Sequence, residues 1–258
     1  MAFPDQDKLF IQDASTRRIL LLGGTQDARV IAQALSKNIS DDGDIDAVLS
    51  LAGVTSNPPN LGIKTRIGGF GGAAGLAQFL IDEAVDLVID ATHPYASTMS
   101  ANAAAASGQA HVKRMTLWRP AWQAEAEDDW TEFGGWDDLF AAVPNGANLF
   151  LAAGQDGMKS LGDEDRFQVW ARALVEPAHL PKSVTLIKSL PAKTAAEEAA
   201  LFTNLNISHL ACKNSGGNAS RAKLEAARQL NLPVLMLGRP TPPPLPLYDS
   251  AAEIIANL

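Results

Sequence analysis

A single cysteine, Cys212, excludes an intramolecular disulfide and any metal site built on cysteines. That usage fits a reducing, cytoplasmic setting. No apolar run nears the roughly 20 residues that a membrane-crossing helix needs, so no membrane association is expected. The opening stretch, MAFPDQDKLFIQDAST (1–16), carries acids and lacks the apolar centre of a signal peptide; it reads as a loose polar lead-in. A basic excess is also missing. The net charge of −8 argues against a general nucleic-acid binder, which needs a cationic face. An acidic protein can still hold anions where a few Arg and Lys converge.

What is present describes an ordinary globular chain: 47% hydrophobic and 19% charged residues are enough for a core and too apolar for disorder. Short apolar runs recur at 17–23, 46–53, 85–91, 110–115, 147–153, 167–173, 183–189, 208–214 and 232–238. Amphipathic segments such as ARVIAQALSK, GLAQFLIDEA, AAEEAALFTNL and SRAKLEAARQL lie between them. Unbroken apolar strands alternating with helices predict parallel sheets covered on both faces. The rhythm breaks between about 116 and 146, an acidic stretch that holds four of the five tryptophans. The expected architecture is therefore α/β, with two Rossmann-like doubly wound domains, 17–118 and 119–258, and an inter-domain cleft. TPPPLPL (241–247) reads as a stiff connector to a short final helix.

In such sheets ligands bind beyond the carboxyl ends of the strands. After the first strand, LLGGTQDAR places Gly23 and Gly24 in a tight turn and Thr25 where it can cap a helix, a phosphate-binding arrangement. The alternative is a βα turn with no ligand. The second strand ends at Ser50 without the carboxylate that an NAD-specific site uses on the ribose, which permits NADP(H). Ser50, Thr55 and Ser56 are candidate donors there, and Lys64 or Arg66 candidate charges. TRIGGFGG concentrates Gly68, Gly69, Gly71 and Gly72 around Phe70, where either a ligand approaches the backbone or a loop is flexible.

DATHPYA (90–96) ends the next strand. Pro94 suits the first turn of a helix, Thr92 or His93 is a candidate cap, and Asp90 is expected to orient the turn. His93 and Tyr95 face the same crevice as the glycine turns in this reading, as ligand contacts or as plain structural residues. In the second half, Lys213, Asn214, Ser215, Gly216 and Gly217 form a donor-rich loop suited to carboxylates or phosphates. Arg119 and Arg239 are candidate carboxylate forks or surface ion pairs. Cys212 reads as a small packed residue.

Taken in order, LLGGTQDAR, SLAG, RIGGFGG, DATHPYA with SANA, WRPAW, and KNSGG followed by KLEAARQLNLPVLMLGRP resemble the precorrin-6A reductase family over residues 17 to 240. The resemblance implies an NADPH-dependent enzyme of cobalamin biosynthesis that delivers hydride to the precorrin-6A macrocycle. It implies cofactor contacts at Gly23, Gly24, Thr25, Ser50, Gly68, Gly69, Gly71 and Thr92, and catalytic roles for His93 and Tyr95. Arg119, Lys213, Asn214, Ser215, Gly216, Gly217 and Arg239 would meet the substrate's carboxylates. No metal and no nucleic acid or membrane partner is implied, and a monomer or weak homo-oligomer is expected. Gln26 and Asp27 stand where many members have Gly-Glu, and Val54 where an arginine is common. A cobalt-containing substrate with NADH is the nearest alternative. Another Rossmann-type oxidoreductase of the Tyr-x-x-x-Lys kind is disfavoured, because Met99 stands four residues after Tyr95. A non-catalytic two-domain module closing on an anion is the rival outside enzymology.

Overall fold

The computed structural model describes residues 16–41, 43–53, 60–177 and 179–258. Nearly all of the N-terminal lead-in, and Val54, Thr55 and Ser56, lie outside the described residues. The chain forms two compact units, Met1–Arg119 with Pro240–Leu258, and Pro120–Arg239. The second unit was expected to run to residue 258; instead the chain returns to the first unit at Pro240.

In the first unit β1 (Arg17–Leu22), β2 (Ile45–Leu51), β3 (Lys64–Ile67), β4 (Leu87–Asp90), β5 (Lys113–Leu117) and β12 (Leu247–Tyr248) form one six-stranded sheet. Its order is β12-β5-β4-β1-β2-β3, and every pairing is parallel. Ile19, Leu20, Leu21 and Leu22 are all buried because both faces of the sheet are covered. Helix α1 (Gln26–Asp41) places Ala28, Ile31, Ala32 and Leu35 on one stripe, the i, i+3, i+4, i+7 spacing of an amphipathic helix. That stripe packs with Ile19, Leu21, Ala47 and Leu49, and with Ala251 and Ile254 of α8 (Ala251–Ala256). On the opposite face α2 (Gly72–Asp82) and α3 (Ser97–Ala110) cover Leu20, Leu22, Val48 and Val88 through Leu76, Leu80, Ala103 and Ala106.

The returning segment is held by specific bonds. Leu247 and Tyr248 pair with Thr116 and Leu117, and Arg114 Nη2 donates to the carbonyls of Pro244 and Leu245 at 2.8 and 3.0 Å. TPPPLPL is thus a route back to the first sheet's edge, with a short strand at its end.

The second unit repeats the plan. Strands β6 (Trp130–Phe133), β7 (Asn148–Ala152), β8 (Gln168–Arg172), β9 (Val184–Ile187), β10 (His209–Lys213) and β11 (Val234–Leu237) form a parallel sheet ordered β6-β11-β10-β7-β8-β9. Helices α4 (Trp136–Ala141), α5 (Gly154–Leu161), α6 (Ala195–Asn204) and α7 (Ala222–Gln229) accompany it. Helix α6 starts on a capping box in which Thr194 Oγ1 accepts from the Glu197 amide while the Glu197 carboxylate accepts from the Thr194 amide. Each unit therefore carries the doubly wound order, with switch points between β1 and β4 and between β7 and β10.

Candidate active site

At the first switch point the loops after β1 and β4 are tied together. Thr25 Oγ1 accepts from the Ala28 amide at 3.1 Å, capping α1, and donates to the Ala91 carbonyl at 2.8 Å. One hydroxyl thus starts a helix and fixes the distance to DATHPYA. Gly23 donates its amide to Ser50 O at 3.0 Å, and Ala91 donates to Leu22 O at the same distance. Gly24 has φ +114, a conformation that L side chains rarely adopt, and a Cβ there would meet nothing within 4 Å among the described residues. The turn is therefore glycine by backbone geometry, with open space beside it. Asp27, in the first turn of α1, is paired with Arg119, which is buried. That contact lies wholly within the first unit and answers the acid that the sequence sets beside the turn.

The DATHPYA loop differs from expectation in one respect. Helix α3 begins at Ser97 with Ala96 as its cap residue and no side-chain cap. Thr92 and His93 do not cap it, and Pro94 precedes it in a turn. The reason is Asp90: its Oδ1 accepts from the Thr92 amide at 3.1 Å and from Thr92 Oγ1 at 2.7 Å, so the threonine is held at the strand end. The expected orienting role of Asp90 is visible in those two bonds. Asp90 Oδ2 is buried with no partner among the described residues. His93 Nδ1 accepts from the Tyr95 amide at 3.3 Å, so a neutral ring carries its hydrogen on Nε2. The His93 and Tyr95 rings lie 5.6 Å apart, tilted by 43°.

Beyond β2 and β3, Ser50 and Arg66 are register partners. Arg66 Nη1 donates to Ser50 Oγ at 2.9 Å and to Gly68 O at 3.0 Å, and Nη2 donates to Gly69 O at 3.2 Å. The guanidinium lies 3.9 Å from the centroid of Phe70, a cation–π distance. Among the described residues, a Cβ at Gly68, Gly69 or Gly71 would meet nothing within 4 Å, so each of these glycines has open space where a side chain would stand. Lys64, the other candidate charge, pairs with Asp46 at 3.8 Å, whereas Arg66 has no carboxylate partner among the described residues.

The second unit's loop is set mainly by side chains clamping its backbone. Asn214 Oδ1 accepts from the Trp122 amide at 2.8 Å and Nδ2 donates to Trp122 O at 3.1 Å. Trp122 Nε1 donates to Gly217 O at 2.8 Å. Arg239 donates to Asn214 O at 2.8 Å, Ser215 O at 3.0 Å and Pro120 O at 3.4 Å. A Cβ on Gly216 would sit 2.2 Å from Pro120 O, so only glycine fits under this clamp. Lys213 Nζ meets the Asp156 carboxylate at 2.8 Å. Burial alone pushes the Asp156 carboxyl up, but the hydrogen bond and charge of Lys213 outweigh it and hold that group below its ordinary value. Cys212 is fully buried, 3.6 Å from Met236 Sδ, and burial raises its thiol pKa, which suits a packed, unreactive residue.

One group at these strand ends was missed. Arg172, the last residue of β8, forms a two-pronged pair with Glu198 at 2.6 and 2.8 Å, and the carboxylate also accepts from the Ala192 amide at 2.9 Å. Lys223 is buried beside them, its Nζ donating to Ser220 O at 2.7 Å and lying 4.7 Å from the Trp122 ring. The available signal was a charged residue inside the apolar run FQVWARA, with an acid at the start of the following helix.

Comparison with known proteins gives a consistent picture. The family model described as precorrin-6x reductase CbiJ/CobK matches residues 18–258. A precorrin-6A reductase of Rhodobacter capsulatus is 40% identical over 230 residues, 88% of this chain and 89% of the relative. One from Rhodococcus erythropolis is 38% identical, covering 93% and 96%. A cobalt-precorrin-6A reductase of Priestia megaterium is 26% identical, covering 93% and 97%. A solved structure named CobK precorrin-6A reductase superposes with a TM-score of 0.87 at 36% identity, covering 93% of this chain and 95% of that one. With two doubly wound units, a capped glycine turn at the first switch point and a match running from the first strand to the last helix, the chain belongs to the precorrin-6x reductase family.

Proposed function

We propose that this chain reduces precorrin-6A to precorrin-6B, with NADPH as hydride donor, in the cobalamin pathway of the cytoplasm. The observation that carries the reading is the identity of 36–40% to precorrin-6A reductases over about nine-tenths of both lengths. The more distant match to a cobalt-precorrin-6A reductase, at 26%, favours the cobalt-free substrate.

The residues present fit a nicotinamide nucleotide. Gly24 leaves open space beside the start of a 16-residue helix, whose amides and dipole favour phosphate. No carboxylate stands at the end of β2, where one would repel a 2′-phosphate. Gly23, Gly24 and the backbone at Thr25 would hold the phosphates, with the Ser50 end and the Gly68, Gly69 and Gly71 loop along the rest of the nucleotide. The Thr25 hydroxyl is committed to Ala28 and Ala91, so its part is to set the spacing between the loops. Thr92, fixed by Asp90, would border the reacting ring.

When bound, the nucleotide supplies the hydride, and the protein's work is alignment and electrostatics. Reduction also needs a proton, for which His93 Nε2 and Tyr95, both in the DATHPYA loop, are the candidate side-chain sources. The inter-domain cleft belongs to this proposal: the substrate's carboxylates would be met from the second unit by Lys213 and the Ser215–Gly217 backbone. Asn214 and Arg239 would act by holding that loop in shape. Arg119, already paired with Asp27, would contribute by exchange of that partner.

The test is an anaerobic assay with precorrin-6A and NADPH that follows the tetrapyrrole chromophore. Turnover supports the reading; turnover only with the cobalt-containing substrate or only with NADH shifts it to the alternative. Failure to bind either nucleotide overturns it in favour of a non-catalytic module. Tyr95→Phe and His93→Ala are expected to lower kcat and to flatten its pH profile. Unchanged profiles in both assign the proton to solvent.

A further inference from the structure

We propose that Arg66 is the residue that distinguishes NADPH from NADH, by pairing its guanidinium with the nucleotide's 2′-phosphate. The proposal rests on the reading that the first unit holds a nicotinamide nucleotide.

Four observations carry it. The side chain stands at the correct strand end. In doubly wound sheets the end of the second strand reads the ribose 2′ position; here Ser50, the last residue but one of β2, stands at that end, and its hydroxyl accepts from Arg66 on the neighbouring strand. The guanidinium is held in advance: the carbonyls of Gly68 and Gly69 and the Phe70 ring fix its plane, so little ordering remains for binding. It lacks a counter-charge, for among the described residues no carboxylate pairs with it, although Lys64 on the same strand has Asp46. A half-buried cation bonded only to neutral groups is an incomplete electrostatic arrangement, and burial accordingly pushes its pKa down. Finally, donors remain. Three N–H groups go to Ser50, Gly68 and Gly69, which leaves the Nε–H and one Nη2–H of the planar fork without a partner among the described residues. Such a fork matches the oxygens of a phosphate.

Arg66 is placed to read the nucleotide and does no chemistry, so binding is the readout. NADPH and NADH are titrated separately into the wild-type protein and into Arg66→Met, which keeps an apolar stem against Phe70 and removes the charge. NADPH affinity is expected to fall roughly 10- to 100-fold, the worth of one or two charge-assisted hydrogen bonds. NADH affinity should change less than about threefold. Equal losses for both nucleotides would assign Arg66 to loop structure alone and overturn the proposal, as would no loss for either. Should Arg66→Met fail to fold, the wild-type protein decides: 2′,5′-ADP must raise the melting temperature more than 5′-ADP does, and equal shifts overturn the proposal. A wild-type protein that binds neither NADPH nor NADH sinks the nucleotide reading itself. One that binds NADPH no better than NADH sinks only the role of Arg66.

Discussion

The two units share one strand order and fix their strand ends by different chemistry. In the first, short hydroxyl and main-chain bonds do most of the work: the Thr25 hydroxyl bridges α1 and Ala91, the Asp90 carboxylate gathers the Thr92 amide and hydroxyl, and main-chain bonds link Gly23 to Ser50 and Ala91 to Leu22, with the Asp27–Arg119 ion pair beside them. In the second, charges do it. Arg172 with Glu198, Lys213 with Asp156, and Arg228 with Asp128 and Glu125 each tie a strand end or loop to a helix. Small neutral contacts let backbone come close to a ligand. Ionic ones hold strand ends and loops against helices through charge, in the interior for Arg172 with Glu198 and nearer the surface for Lys213 with Asp156. A shared topology thus leaves open how each strand end is held, and the residues at those ends decide it.

The difference can be broken by substitution. Glu198→Ala strands Arg172 in the interior and is expected to cost about 3–5 kcal/mol, the largest effect of the three substitutions that probe it. Denaturant unfolding followed by tryptophan fluorescence reads it well, since Trp122, Trp130, Trp136 and Trp170 all lie in the second unit. Asp128→Asn comes next, at on the order of 2 kcal/mol at pH 7, through the lost bidentate bond from Arg228 at 2.9 and 3.0 Å. Its pH dependence has a definite sign. Burial pushes the Asp128 carboxyl up, but the hydrogen bonds and charge of Arg228 outweigh it and hold the folded pKa below the ordinary value. The stabilisation is therefore complete above the unfolded pKa of about 4 and is lost as pH falls through the lower folded value. The variant and wild type should converge there. Thr25→Val, which removes one cap and one bond to Ala91, should cost the least, about 1–2 kcal/mol. Loss of the same size from Thr25→Val and Glu198→Ala would remove the distinction between the units.

Most strands that are covered on both faces were legible, because continuous apolar runs such as RRILLLG have no other use in a chain of this kind. Of the four edge strands, only β9, in the run 183–189, was. KTRI of β3 and WTEF of β6 are largely open to solvent, so their sequences carry no apolar run, and Leu247–Tyr248 is too short to show a period. The glycine turn and Asp90 could be read locally, since their partners lie a few residues away or at adjacent strand ends. Thr92 was misjudged as a possible helix cap because a carboxylate two residues earlier competes for the same hydroxyl. The Arg172–Glu198 pair and the Arg239–Asn214 bond join residues about 25 apart in sequence, so a charge inside an apolar run marks a buried partner without naming it.

The return of Pro240–Leu258 to the first sheet also sets an order of events during synthesis. The second unit is an uninterrupted stretch, complete as soon as Arg239 has been added. The first must wait across that whole stretch, on the order of ten seconds at ordinary elongation rates, before β12 can close its edge. During that wait β5 is an open edge, and Ile31 and Leu35 lack the cover of Ala251 and Ile254. The unit that is begun first on the ribosome is the one that is finished last.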